Sequence, residues 1–264
     1  MAVYIKDSPQ HFAEALDSLK PFVSRLYSVI IIADGPLNHQ LYKVIDKRIK
    51  SVKIDLIKLP VSRGLGQALN AGVKNSKSNF LLRMDADDLS RFNRLDVLLD
   101  CLYKNPQVDV IGSYIAEFNI TPSKHDRVRK VPLNHNKIVK QTKVWCAMNH
   151  VTCLLRKNSI LKVGGYQGGK DFSEDWWLWA RLIHNGAKFI NVNKVLVDVR
   201  IDNGFIKRRK GLNKFREDLK LAKMMYKINF IKWYHFIIIF TSRFFQRLAP
   251  SFVISLAYLI IRKL

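Results

Sequence analysis

The chain has 264 residues, 48% of them hydrophobic and 11% aromatic, so it can bury a sizeable core and general disorder is excluded. Its 45 Lys and Arg against 21 Asp and Glu give a formal net charge of +24. Such an excess indicates an anionic partner: nucleic acid, an anionic membrane surface or a phosphorylated substrate. The three cysteines have no disulfide or zinc spacing, which predicts a reduced, cytoplasmic protein.

The first half of the chain alternates strand-like runs with segments that carry apolar residues at helical spacing. In chain order these are strand Val29–Ala33, helix Leu37–Lys50, strand Lys53–Leu59, helix Gly66–Asn75, strand Phe80–Met84, helix Leu95–Tyr103 and strand Val108–Phe118. The alternation predicts an α/β fold with a mainly parallel central sheet flanked by helices. Asp34 and Asp85 each follow a strand, so we expect them at one edge of that sheet, where ligands bind.

The two flanks of this region are less regular. Ala2-Val3-Tyr4 has the character of the last residues of a first strand, so the sheet either begins short or lacks an upstream part. Residues 121–149 are polar and irregular, and Val151–Arg156 is strand-like. A glycine-rich segment then leads into a helix for which Ser173 is the expected N-cap, and Phe189–Arg200 is another strand.

An acidic cluster, Asp85-Ala86-Asp87-Asp88, places three carboxylates within four residues at the end of a strand. These charges repel one another unless a cation neutralises them, and Mg²⁺ or Mn²⁺ takes carboxylate and phosphate oxygens as ligands. The cluster therefore indicates a metal site that holds a diphosphate. A solvated loop with an aspartate N-cap for the next helix is the alternative that these four residues leave open.

Further motifs occur before and after this cluster. They are Val3-Tyr4 with Lys6-Asp7, Ile31 to Leu37, Arg63 to Gly72, Arg83 to Asp88, Gly164-Gly165-Tyr166, Glu174 to Arg181, and Arg208-Arg209-Lys210-Gly211. In this order they resemble family 2 glycosyltransferases with the GT-A fold, especially bacterial enzymes of O-antigen, capsule or exopolysaccharide synthesis, the amylovoran type included. The resemblance covers residues 1–225. It implies inverting transfer from a nucleotide-diphosphate sugar, with UDP favoured, to a polyprenyl-diphosphate-linked saccharide, with Mn²⁺ or Mg²⁺ as cofactor.

The resemblance also implies roles on the donor side. The residues expected to bind the nucleotide sugar are Asp34, Arg63, Arg83, Asp85 and Asp88, and the expected metal ligand is Asp87. Asp34 would contact the nucleobase and Asp85 the ribose or sugar, whereas Asp88 would contact the sugar or orient Asp87. Arg83 would pair with a carboxylate or a phosphate. Asp34 as a plain turn residue, and Arg63 as a solvated side chain, remain the alternatives.

On the acceptor side, inverting transfer needs a carboxylate that takes the proton of the attacking hydroxyl. The family likeness gives this role to Asp175, and favourable charge at a helix N-terminus is the other reading of the same residue. Candidate substrate or phosphate contacts are Glu174, Trp176, His150, Arg208 and Arg209. Core packing is the alternative for the tryptophan, and a structural role is the alternative for the histidine.

From residue 207 onward the charge is almost entirely positive, so we divide the chain into a catalytic domain, 1–206, and a basic C-terminal region, 207–264. Two apolar blocks, Phe236–Phe240 and Phe252–Ile261, are too short to span a bilayer. With their basic flanks they predict amphipathic helices on an anionic membrane surface. Packing on the catalytic domain or on a second subunit is the alternative.

The expected location is therefore cytoplasmic, at the inner face of the cell membrane, with a homo-oligomer left open. A related nucleotidyltransferase also uses metal and nucleotide, but Tyr4–Phe12 offers no glycine-rich phosphate loop after the first strand. A nucleic-acid-binding protein would explain the charge, yet an acidic cluster at a strand end repels phosphate. No nucleic-acid partner is expected.

Overall fold

The computed structural model describes residues 1–48, 53–119, 121–122, 127–167, 173–201 and 210–248. The strands are β1 Ala2–Val3, β2 Val29–Ala33, β3 Ile54–Lys58, β4 Phe80–Leu82, β5 Leu89–Ser90, β6 Val110–Phe118, β7 Arg127–Arg129, β8 Leu154–Arg156 and β9 Phe189–Arg200. The helices are α1 Pro9–Asp17, α2 His39–Arg48, α3 Leu65–Asn75, α4 Arg94–Lys104, α5 His135–Thr142, α6 Lys157–Lys162, α7 Glu174–His184, α8 Leu212–Lys227 and α9 Trp233–Leu248.

The first sheet is parallel, in the order β1-β2-β3. Its central strand is almost continuously apolar, as expected for a strand that is covered on both faces. Phe12 and Leu16 of α1 and Leu41 and Ile45 of α2 pack with it in one buried cluster. This layer fixes where β2 ends, and hence where Asp34 lies.

The second sheet has the order β4-β8-β6-β9-β5, with β7 added beside β6. Only β6 and β9 pair in parallel here, while β4–β8, β8–β6, β5–β9 and β6–β7 are antiparallel. The α/β class is confirmed, but the expectation of a mainly parallel sheet is wrong for this half. Periodicity reveals where strands occur, whereas their direction depends on the path of the connections between them.

A turn before β8 replaces part of the expected strand Val151–Arg156. His150–Thr152 forms a single 3-10 turn, and only Leu154–Arg156 is strand. Two buried hydrogen bonds hold the turn to β6, at a point where the pairing of β6 with β9 is irregular. The Ser113 amide donates to Thr152 Oγ1 at 2.9 Å, and Asn149 Nδ2 donates to the Ser113 carbonyl at 2.8 Å. These bonds fix the position of His150.

The C-terminal helices α8 and α9 pack on α7. Trp176, Trp177 and Ala180 of α7 share a buried cluster with Leu221 and Met225 of α8, and Ile239 of α9 completes it. The described part of the basic region thus shares a core with the preceding part of the chain, which is the packing alternative stated above. Within the described ranges, no helix is long and apolar enough to cross a membrane. The block Phe252–Ile261 lies outside the described residues.

Candidate active site

Residues 83–88, which contain the acidic cluster, form an acidic turn between β4 and β5. Its three carboxylates have different environments. Asp85 forms an ion pair with the buried guanidinium of Arg83. Asp87 is exposed. Asp88 is only 3% exposed, and its Oδ1 accepts a hydrogen bond from the Arg200 amide of β9 at 2.9 Å. Of the three, Asp87 is therefore the carboxylate most open to a ligand.

The protonation equilibria in this turn reflect crowded negative charge. Although Asp87 reaches solvent, the surrounding protein partly desolvates its carboxylate. This desolvation and the Asp85 charge raise the pKa of Asp87 to about 6. Burial, Asp85 and Asp87 raise the pKa of Asp88 well above its usual value. Burial disfavours ionisation of Asp85 as well, but Arg83 and His150 oppose it and bring its pKa below the usual value. A cation beside Asp87 would stabilise its charged form.

The carboxylates of the acidic turn suit a hard divalent cation whose other ligands come from a substrate. Among the described residues, no group of three or more His, Cys, Asp or Glu side chains forms a complete metal cage. Mg²⁺-type sites at phosphates commonly use one or two carboxylates and complete their coordination with phosphate and water oxygens. An exposed oxygen ligand at Asp87, beside the carboxylate of Asp85, fits that pattern.

Asp34 organises the loop between β3 and α3. Its carboxylate is 7% exposed and accepts three hydrogen bonds, from Ser62 Oγ at 2.8 Å, the Arg63 amide at 2.7 Å and the Gly64 amide at 3.1 Å. Gly35 has φ of +85°, and a Cβ there would lie 2.8 Å from the Ser62 nitrogen. The loop therefore closes tightly on the end of β2 and leaves the Arg63 side chain exposed.

The second acidic centre is the start of α7. Asp175 Oδ1 accepts a hydrogen bond from the Trp176 amide at 2.7 Å, and Cys146 Sγ lies 3.8 Å from Asp175 Oδ2. Burial and the Asp175 charge raise the pKa of Glu174 to about 7, with Asp85 adding to the effect. Asp85 and Glu174 are close enough for their charges to interact, so the two acidic centres lie near each other.

The first turn of α3 packs against the start of α7. A Cβ on Gly66 would lie 3.3 Å from the Glu174 Cβ, so the glycine allows α3 to approach α7 closely. Asn70 of α3 is bonded to the Tyr166 backbone in both directions, as donor at 2.5 Å and as acceptor at 2.7 Å. The loop held by Asp34 thus leads directly to the second acidic centre.

His150 is close enough to both acidic centres to interact electrostatically with Asp175 and Asp85. Its Nε2 is 2.8 Å from the Tyr166 hydroxyl. Burial and the Arg83 cation lower the pKa of His150 to about 4, against the opposing effect of Asp175 and Asp85. The imidazole is therefore neutral at physiological pH and serves as a hydrogen-bonding partner in the wall of the site.

The structure corrects the expected substrate contacts of Trp176 and Asp88, and for Arg83 it selects one of the two stated alternatives. Trp176 is 3% exposed, and its Nε1 donates to the Thr142 carbonyl at 2.7 Å, so it packs in the core instead of facing an acceptor. Asp88 is buried against β9, which supports the turn and leaves no surface for a donor sugar. Arg83 takes the carboxylate alternative, because its guanidinium is buried on Asp85.

Two further expectations concern the N-cap of α7 and the arginine pair of the basic region. Ser173 occupies the N-cap position of α7, but its side chain makes no capping hydrogen bond there. Arg208 and Arg209 lie outside the described residues.

Asp7 and Arg94 support the site, although neither was expected from the sequence to have a role there. Asp7 follows β1, and burial raises its pKa to about 6, with Asp87 and Asp85 adding to the shift. Arg94 is fully buried at the start of α4, and its Nη2 donates to the Arg83 carbonyl at 2.5 Å and the Val151 carbonyl at 2.8 Å. Asp7 stands in a motif of the family resemblance, whereas no pattern in the sequence signals a buried arginine.

A cavity of about 300 Å³ lies between β2, α3 and β4. Arg83 and Tyr166 reach its wall, but most of its lining is apolar, including Ile30, Ile32 and Leu82. It offers few polar groups for a sugar or a phosphate, so the acidic centres remain the candidate site.

Comparison with solved structures shows that the chain has the GT-A fold. The chain is similar to the structure of S. aureus TarS residues 1–349 with UDP-GlcNAc, with a TM-score of 0.68, 16% identity, and coverage of 92% of this chain and 71% of that one. It is also similar to the mannosyltransferase PcManGT of Pyrobaculum calidifontis with GDP-Man and Mn²⁺, with a TM-score of 0.63, 16% identity, and coverage of 94% and 69%.

The sequence comparisons identify the family. The profile described as "Glycosyl transferase family 2" matches residues 1–165. A UDP-Gal:alpha-D-GlcNAc-diphosphoundecaprenol beta-1,3-galactosyltransferase of Escherichia coli is 36% identical over 251 residues, which cover 95% of this chain and 90% of that enzyme. The chain belongs to glycosyltransferase family 2. Its membership decides for an enzyme of glycosyl transfer over the nucleic-acid-binding alternative.

Proposed function

We propose that the enzyme transfers a sugar from a UDP-sugar, with inversion, to a saccharide carried on a polyprenyl diphosphate, in the assembly of a bacterial surface polysaccharide. The observation that carries the proposal is that the acidic turn and the Glu174-Asp175 pair lie close together. Glu174 and Tyr166 both lie beside Gly66, and Tyr166 lines one cavity with Arg83, the ion-pair partner of Asp85. The name of the E. coli relative specifies a donor and an acceptor of these kinds, and the TarS structure contains a UDP-sugar. Both proteins support the proposal through their similarity to this chain.

In the proposed reaction Asp175 acts as general base. It takes the proton of the acceptor hydroxyl while that oxygen forms a bond to the anomeric carbon of the donor. The bond from this carbon to the diphosphate oxygen breaks, and its electron pair leaves with UDP. The Trp176 amide and the Cys146 thiol contact the Asp175 oxygens and orient the carboxylate.

The donor lies, in this proposal, along the loop of Asp34 and the acidic turn. Asp34 keeps a fourth acceptor position for a nucleobase N–H, since three are used by the loop. Asp85 lies near the ribose or sugar, and Arg63 reaches the base or a phosphate. Asp87 would hold Mn²⁺ or Mg²⁺, which would supply positive charge opposite the diphosphate.

We also propose that α9 attaches the enzyme peripherally to the inner face of the cell membrane. Ile239 and Arg243 on one side of α9 are buried against the protein. The opposite side exposes large apolar residues: Trp233, Tyr234, Ile237, Ile238, Phe240, Phe244 and Phe245. Exposed lysines stand nearby on α8 and before α9, at Lys220, Lys223, Lys227 and Lys232. An apolar face with adjacent positive charge suits an anionic lipid interface.

The catalytic proposal is tested by a screen of nucleotide sugars with Mn²⁺ or Mg²⁺ and a polyprenyl-diphosphate-linked saccharide. We expect transfer from a UDP-sugar, and its loss in both Asp87→Asn and Asp175→Asn. Metal-dependent UDP binding should be lost mainly in Asp87→Asn. Asp46→Asn, which changes an exposed carboxylate of α2, is the matched control and should keep full activity. Near-normal turnover in Asp175→Asn would show that the base is another residue.

The membrane proposal is tested by sedimentation with vesicles of phosphatidylcholine alone or with one-third phosphatidylglycerol. Binding should require the anionic lipid and weaken with salt, since screening reduces attraction to the surface. Ile237→Glu should abolish it without altering the far-UV circular dichroism. Salt-resistant dimers in place of vesicle binding would instead make this face a contact between two copies.

A further inference from the structure

The buried cation Arg243 joins α9 to the start of α7. Its side chain is almost fully buried, although it lies on the helix with the exposed apolar face. Its Nε is 3.8 Å from Asp218 Oδ2 of α8, an ion pair too long for a hydrogen bond. Burial lowers the pKa of Arg243 to about 10, so the guanidinium stays charged at neutral pH.

Two tryptophan rings flank this cation. The guanidinium carbon of Arg243 is 3.9 Å from the ring centroid of Trp145 and 5.1 Å from that of Trp176. Both distances are within the range of cation–π attraction, which is strongest for tryptophan and for desolvated cations. Lysine would keep the charge but lose the planar group that stacks on the two rings.

One of these tryptophans contacts Asp175 itself, and the other is next to a residue that contacts it. Trp145 precedes Cys146, whose Sγ is 3.8 Å from Asp175 Oδ2, and the Trp176 amide donates to Asp175 Oδ1 at 2.7 Å. The two groups that orient the carboxylate therefore belong to segments that stack on one guanidinium. A shift of either segment would turn the carboxylate.

We infer that Arg243 is a positioning residue for Asp175: it clamps Trp145 and Trp176 together and so fixes the orientation of the carboxylate toward the acceptor. The inference rests on the proposed role of Asp175 as base. Donor-side groups such as Asp34 and Arg63 lie on other elements, so the clamp acts on the chemical step and leaves donor binding unchanged.

The test compares Arg243→Lys and Arg243→Met with Arg247→Met. Arg247 Nε is 2.8 Å from the same Asp218 oxygen, so its replacement disturbs the same ion-pair network. The two cation–π contacts at Trp145 and Trp176 are those of Arg243, so Arg247→Met leaves both in place. All variants are assayed at a temperature where circular dichroism shows them fully folded, with the donor and acceptor that the screen identifies.

We expect kcat to fall about tenfold or more in Arg243→Lys, because small displacements of a catalytic group are costly. The donor KM should stay within about twofold, and Arg247→Met should retain wild-type kcat. Equal kcat in Arg243→Lys and wild type, an equal loss in Arg247→Met, or a rise in donor KM alone would overturn the inference. Arg243→Lys decides the question if Arg243→Met does not fold. Absence of transfer in the wild type would instead refute the proposed function.

Discussion

Replacing Arg94 with methionine perturbs the support beneath the acidic turn. Arg94 is fully buried at the start of α4, and its Nη2 donates to the carbonyls of Arg83, at 2.5 Å, and Val151, at 2.8 Å. Arg83 begins the acidic turn, and Val151 follows His150. One guanidinium thus ties together two segments of the candidate site. Methionine fills much of the same volume but donates no hydrogen bond.

The magnitude follows from the two carbonyls that lose their donor. A buried polar group left without a partner costs about 1–3 kcal/mol, and two give a loss of about 2–6 kcal/mol in the free energy of unfolding. Burial lowers the pKa of Arg94 to about 9, which shows that its charge is itself costly to bury. Removing that charge offsets part of the loss, so we expect a net effect of about 2–4 kcal/mol.

The assay is urea unfolding followed by tryptophan fluorescence, with titration of UDP and Mn²⁺ on the folded protein. Arg94→Met should unfold at lower urea with an unchanged m-value and bind UDP–Mn²⁺ more weakly. Arg25→Met is the matched control, because Arg25 forms an exposed ion pair with Asp96 whose loss should cost less than about 1 kcal/mol. Equal stability of Arg94→Met and wild type, together with equal UDP affinity, would refute the reasoning.

Two further predictions concern groups that line the site. Burial lowers the pKa of His150 to about 4, below the value of about 6.5 expected in the unfolded chain. Its contribution to stability is therefore present above about pH 6.5 and lost as the pH falls toward 4. The difference in unfolding free energy between wild type and His150→Gln should shift by about 1–3 kcal/mol between pH 7 and pH 4.5, and a constant difference would contradict a neutral, buried imidazole. In Asp34→Asn, an amide group faces the donors of the 62–64 loop, so hydrogen exchange at the Arg63 and Gly64 amides should accelerate at least tenfold; unchanged protection would show that Asp34 does not hold the loop.

The order of motifs along the chain was sufficient to predict the enzyme class and the GT-A fold. The strand β2 and the acidic turn are local patterns: a continuous apolar run needs cover on both faces, and three carboxylates at a strand end need neutralising charge. The bounds of α2 and α3 also followed from helical spacing to within about two residues.

Strand direction in the second sheet could not be predicted from the sequence. Apolar periodicity is the same for parallel and antiparallel pairing, and the pairing partner of β8 depends on the path of the chain through the His150 turn. The tertiary structure also separated the acidic residues. Asp87 is exposed and Asp88 is buried although they are neighbours, because the Asp88 carboxylate accepts the Arg200 amide of β9, whereas the Arg200 side chain reaches Asp87 at its backbone carbonyl.

The sequence by itself determined which chemical groups are present: carboxylates after strands, a Glu-Asp pair at a helix start, and an excess of positive charge. Only the tertiary structure decided which of these groups meet and which support others. Trp176 became core, Arg94 and Arg243 became buried clamps, and His150 became a neutral partner of Tyr166. The physical reason is that burial and long-range contacts set a side chain's role, and both arise only when distant segments pack together.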